Sequence, residues 1–197
     1  MTNPKRLSAK FYTLDPSGID LEAIVPVFHR WIQDDALEGL LIDVADYAHV
    51  HQGPGILLIG HEGDYSLDLG EGRPGLLYTR KQDMPETLTD SLNLTIRLAL
   101  SAALLAASEA DLNGLEFDYS DIQLTFIDRL NTSNTQETFD ALKDVLQGFA
   151  DDLYGKAEIT LANNDPRDNL AIHIKTVNEV DPAVLLEKLS AGQPITN

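Results

Sequence analysis

Between Asp43 and Tyr65 the chain reads DVADYAHVHQGPGILLIGHEGDY, which holds three of the five histidines together with Asp43, Asp46, Glu62 and Asp64. Neutral imidazoles combined with a carboxylate suit zinc or iron. On an extended strand His49 and His51 share a face, since side chains alternate. A metal held by His49, His51, Asp43 and Asp46 would make the chain a metal-assisted hydrolase or a related enzyme. The third histidine does not fit that set. With HQGP as a hairpin turn, Val50 faces Gly55 and His61 faces Val44. His61 then lies on the other face from His49, five residues or ~16 Å along the ladder at ~3.3 Å per residue. His49 and His61 are not expected to share an ion. Asp43 or Tyr47 could join His49 and His51 only by folding back, and otherwise the set needs ligands from another segment.

The remaining reactive residues form no recognisable set. His61 and Glu62 would make an acid–base pair, but the run His61-Glu62-Gly63-Asp64 reads as a turn whose solvated side chains have nothing to shift their pKa. His29 is expected to pack within a helix, and His173 to point outward with Lys175. The glycine-rich GPG (53–55) and GEGRPG (70–75) do not lead from a strand into a helix, as a phosphate loop must. NNDPRDN (163–169) lacks the EF-hand spacing and its distal glutamate. No G-x-S-x-G or S-x-x-K occurs. Cysteine is absent, which removes disulfides, thiolate metal sites and cysteine nucleophiles. No cofactor is expected.

These residues are carried by elements that can be read from periodicity. KFYTLD (10–15) has strand composition, and Asp20 caps a helix with Ile24, Val25, Phe28, Trp31 and Ile32 on one side, interrupted by Pro26. Four strands follow: LLIDVADYAHV (40–50), GILLIGH (55–61), DYSLDLG (64–70) and GLLYTRK (75–81). Leu40, Ile42, Val44, Ala48 and Val50 alternate with Asp43, Tyr47 and His49, and the short connections predict an antiparallel meander. A helix over 84–111 is capped by Asp83 with Glu86 and ends at Asn113-Gly114. It is apolar nearly all round, as a central or pairing helix is. Strands follow at LEFDY (115–119) and IQLTFID (122–128). Ser133 with Gln136 caps a helix whose Phe139, Leu142, Leu146, Phe149 and Leu153 form one stripe. AEITLA and LAIHIKT are two further strands. Asp181-Pro182 starts a last helix, which Gly192 stops, and PITN (194–197) offers a short strand.

The class expected is α+β: antiparallel sheets with helices packed on one face. Element order divides the chain into halves, 1–114 and 115–197, each a variation on the ferredoxin-like βαββαβ plan.

With 43% hydrophobic residues the chain can bury a sizeable core. Its 32 acidic and 14 basic residues give a net charge of −18, which repels phosphate backbones and anionic lipid heads. No nucleic-acid or membrane partner is expected, whereas basic proteins, small molecules and divalent cations remain. The N-terminus carries no apolar signal region, and LALSAALLAASEA (98–110) reads as too short to span a bilayer, so a cytoplasmic location is expected.

The segments VPVFHRWIQ (25–33), LLIDVADYAHV (40–50), GPGILLIGHEGDYSLD (53–68) and RPGLLYTRK (73–81) are similar to those of a group of uncharacterised bacterial proteins. The resemblance covers about the first eighty residues and implies no role for any of them.

Three functions follow from these observations. The leading one is a non-catalytic binding or oligomerising module, with a homodimer through the 84–111 helix. The second is the metal-assisted enzyme around Asp43, Asp46, His49 and His51. The third is a small-molecule sensor whose ligand sits between the halves.

Overall fold

Strand β1 (Leu7–Thr13) is buried along its whole length, and its two faces differ in character. Leu7, Ala9 and Phe11 enter the hydrophobic core, while Ser8, Lys10 and Tyr12 are buried on the other side and belong to no apolar cluster. That period-two division extends across the sheet. A computed structural model describes residues 4–51, 53–163 and 165–191. Among the described residues eight strands make one sheet, in the order β2-β3-β4-β5-β1-β6-β8-β7, with every neighbour antiparallel. The further strands are β2 (Leu41–Tyr47), β3 (Gly55–Gly60), β4 (Gly63–Asp68), β5 (Gly75–Arg80), β6 (Phe117–Phe126), β7 (Glu158–Leu161) and β8 (Leu170–Lys175). The helices are α1 (Leu21–Gln33), α2 (Leu88–Ser108), α3 (Gln136–Tyr154) and α4 (Pro182–Ala191).

The helices supply the apolar layer that covers one face. α1 lies on β2 and β3, α2 on β1 and β5, and α3 on β7, while α4 packs on α2 and α3. Asp20 caps α1 by accepting from the backbone N–H of Glu22 and Ala23, and Pro26 is accommodated at an exposed position. Ile24, Val27, Phe28 and Trp31 form its buried side. The stripe Phe139, Leu142, Leu146, Phe149 and Leu153 of α3 is buried as its spacing predicts. α2 is central, with Leu92, Ile96, Leu98, Leu100 and several alanines buried and Leu104 half-buried. By length and composition α2 would cross a membrane, but 61% of its most apolar window is packed inside the fold. The expectation that this run is too short fails because the helix extends upstream of Arg97.

Several boundaries differ from expectation for local reasons. α2 starts at Leu88 because Thr87, not Asp83, is the cap: its hydroxyl accepts from Asp90 N–H and donates to the Asp90 carboxylate. Likewise Thr135 replaces Ser133 as the α3 cap, accepting from Thr138 N–H. LEFDY and IQLTFID merge into the single strand β6, which carries an irregularity against β1. The pairing jumps from Phe11↔Ile122 to Tyr12↔Asp118, leaving residues 119–121 without partners on β1. β2 ends at Tyr47 rather than Val50, with Tyr47 opposite Gly55 and Val44 opposite Leu58. A register shift between Leu41 and Asp43 buries Leu41 and exposes Leu40 and Ile42, reversing the alternation predicted there. The strand expected in PITN and the stop at Gly192 lie outside the described residues.

One sheet runs through the expected division near residue 114. β6 is bonded to β1 on one side and to β8 on the other.

Candidate functional site

On the face without helices, Lys10 of β1 lies opposite Gln123 of β6, and Gln123 lies opposite His173 of β8. Two residues along β6 from Gln123, Asp121 is paired with Lys175. Asp121 falls where β6 leaves its pairing with β1, next to Tyr12. The connection between β4 and β5 brings Arg73 to Asp121 and over the Tyr12 ring.

Asp121 is the centre of the cluster. Its side chain is only 4% exposed, and a carboxylate removed from water needs compensating charge and donors. His173 Nδ1 lies 2.8 Å from Oδ1, Arg73 Nη2 3.3 Å from Oδ2, and Lys175 Nζ 3.6 Å from Oδ2. Burial works to raise the Asp121 carboxyl, but the hydrogen bonds and charges of His173 and Arg73 outweigh it and hold it below the usual carboxylate value. Arg73 also covers the Tyr12 ring, its guanidinium carbon 3.4 Å from the centroid, while the His173 ring stacks on Tyr12 at 6.0 Å. Tyr12 donates its hydroxyl proton to Gln123 Oε1 at 2.8 Å, and Gln123 donates through Nε2 to Glu71. Burial pushes the Tyr12 hydroxyl well above its ordinary value, so it acts as a donor and not as a phenolate.

Lys10 completes the patch. Its side chain is 4% exposed and its ammonium donates to Asp68 at 2.5 Å and to the Gly70 carbonyl at 3.4 Å. The pair therefore ties β1 to the start of the loop that carries Glu71 and Arg73.

The arrangement presents polar groups of the sheet to a ligand. Oδ1 of Asp121 faces the His173 imidazole and Oδ2 faces Arg73 and Lys175, Lys10 is paired, and Tyr12 is held protonated. His173 has its Nδ1 committed to Asp121, and among the described residues that is its only side-chain hydrogen bond, which leaves Nε2 for a ligand. Arg73 and Lys175 remain 48% and 58% exposed, so both reach solvent while anchored at one oxygen of Asp121.

The residues expected to bind metal lie elsewhere. His49 and His51 are exposed in the turn after β2, beyond the strand that was to align them. Asp43 and Asp46 are exposed on β2, and each carboxylate turns back onto the backbone: Asp43 accepts from Val44 N–H and Asp46 from Ala48 N–H, both at 2.8 Å. Among the described residues no three His, Asp or Glu side chains converge as a metal set. His61 sits at the opposite end of β3 from His49, where its N–H bonds the Leu40 carbonyl. Glu62 there accepts from Leu40 N–H, and its carboxyl is lowered by its own backbone N–H and then by that of Leu40. His29 is exposed on α1 rather than packed, and His173 is largely covered rather than outward and free.

Arg73, Asp121 and Tyr12 escaped the sequence reading. The available signal was polar alternation on three strands: Ser8-Lys10-Tyr12, Asp121-Gln123-Thr125 and His173-Lys175. No family model matches the chain, and no curated protein matches it.

Proposed function

We propose that the protein is a non-catalytic binding module that accepts an anionic group of a small ligand on the open sheet face, between Arg73, His173 and Lys175. The observation that carries this is the buried Asp121 carboxylate, which gathers two cationic side chains, Arg73 from the β4–β5 loop and Lys175 from β8, together with the His173 imidazole, in a chain of net charge −18. Asp121 fixes one end of Arg73 and of Lys175, and their remaining N–H groups are the donors offered to a ligand. The surrounding acidic surface favours a compact anion over a polyanion. The ligand lies where β1 meets β6 and β8, which is also where the segments 1–114 and 115–197 join. In this proposal those segments are two ferredoxin-like units joined where β1 pairs with β6, each contributing to the site.

Calorimetric titration with inorganic phosphate and with succinate tests it. Saturable binding to either, lost in Arg73→Ala and Lys175→Ala variants that keep their thermal stability, is the expected outcome. Absence of binding to both probes counts against the proposal.

A further inference from the structure

A second cleft, on the helical side and independent of the open-face cluster, has its own chemistry. It encloses about 470 Å³ among the α1–β2 connection, α2 and α4. That volume is in the range of small-molecule pockets. Leu98, Leu104 and Leu105 of α2 and Leu186 of α4 supply apolar wall, and Arg97 is the basic group set among them.

Arg97 is in an unusual state for a core arginine. Its side chain is 11% exposed, and Nη1 and Nη2 clasp both oxygens of Glu38 at 2.7 and 3.0 Å. Its Nε–H is buried with no acceptor among the described residues. A buried donor is ordinarily hydrogen-bonded, and none of the described residues supplies an acceptor to this one. Glu38, by contrast, has a side chain 58% exposed, so its carboxylate can turn to water at small cost. Its backbone stays in place when it does so: Tyr65 donates its hydroxyl to the Glu38 carbonyl, and the next residue but one, Leu40, is held by Glu62.

We infer that this cleft binds a small amphipathic carboxylate, whose head group takes the place of the Glu38 carboxylate on Arg97 and whose apolar body lies against Leu98, Leu104 and Leu105. The Glu38 carboxylate is then an internal stand-in that a ligand displaces. A planar guanidinium donates two N–H groups to a carboxylate in a bidentate pair, the arrangement Nη1 and Nη2 already make with Glu38. The leucines explain why the ligand needs an apolar body and not a charge alone.

Octanoate is the probe and 1-octanol the control, titrated calorimetrically into the full chain and into three variants. Octanoate is expected to bind saturably with Kd below about 1 mM, and 1-octanol at least tenfold more weakly. Glu38→Ala, a change at an exposed side chain, removes the competitor and is expected to tighten octanoate binding about tenfold. Arg97→Gln is expected to abolish it, and Arg167→Ala, at an exposed cation outside both sites, to leave it unchanged. The inference is overturned if neither wild type nor Glu38→Ala binds octanoate saturably, if 1-octanol binds as well as octanoate, or if Glu38→Ala gains nothing. It is also overturned if the chain sediments as a dimer that Leu105→Glu dissociates while octanoate fails to compete, since a second copy then fills the cleft.

Discussion

His173 and Asp121 are 52 residues apart in the chain, yet Nδ1 of one lies 2.8 Å from Oδ1 of the other across neighbouring strands β8 and β6. The contact joins the segment before α3 to the segment after it. It also fixes the imidazole so that Nε2 is the nitrogen left for a ligand.

Asp121→Asn keeps the shape of the side chain and removes its charge. Arg73 and Lys175 lose their common anion, and a loss of about 1–3 kcal/mol in chemical denaturation is expected. The acid limb of stability changes as well. The folded carboxyl lies below its unfolded value, so its contribution is complete above the ordinary carboxylate pKa of about 4 and disappears as pH falls through the lower folded value. Wild type and Asp121→Asn should therefore converge in stability as the pH is lowered beyond that window. A constant gap down to strong acid contradicts the assigned role.

At the alkaline end the tyrosines govern. Tyr12, Tyr65, Tyr78, Tyr119 and Tyr154 are all raised above 10.0, in each case chiefly by burial. A raised folded pKa contributes stability that is present below the unfolded value and lost as pH rises toward the folded one. Tyrosinate absorbance from these five should appear above pH about 10 together with loss of secondary structure. Ionisation of most tyrosines in a still-folded chain contradicts their burial.

Phe149 of α3 is 7% exposed in the core with Leu142 and Leu146. Phe149→Ala should cost about 3–5 kcal/mol in stability, as buried phenylalanines do. A change below about 1 kcal/mol would mean that the α3 stripe does not face the sheet.

Zinc titration addresses the histidine-rich stretch. His49 and His51 are exposed in a turn and Asp43 and Asp46 are engaged by backbone N–H groups, so no saturable tight zinc binding is expected and His49→Ala should behave as wild type. Stoichiometric zinc lost in His49→Ala would revive a metal-dependent enzyme.

The apolar patterns were legible and the polar ones were not, for a physical reason. Burial imposes a period, so the α3 stripe and the alternation on β8 can be read from one segment alone. Even there, boundaries depend on which hydroxyl caps a helix, and Thr87 and Thr135 each prevailed over the residue expected. The open-face site depends on pairings between distant strands. Lys10, Gln123 and His173 become neighbours only because β1, β6 and β8 lie side by side, and Arg73 arrives from a loop that reads as a glycine-rich turn. Conversely, Asp43, Asp46, His49 and His51 looked promising through closeness in sequence. The end of β2 at Tyr47 leaves His49 and His51 outside the strand geometry that would align them.

Calorimetric titration of the intact chain with inorganic phosphate and succinate, repeated with Arg73→Ala and Lys175→Ala, tests the central claim most directly. Saturable binding of at least one anion, weakened about tenfold or more by either substitution with folding intact, is the predicted result. No binding of either anion, or binding indifferent to both substitutions, would contradict an anion site on the open face of the sheet.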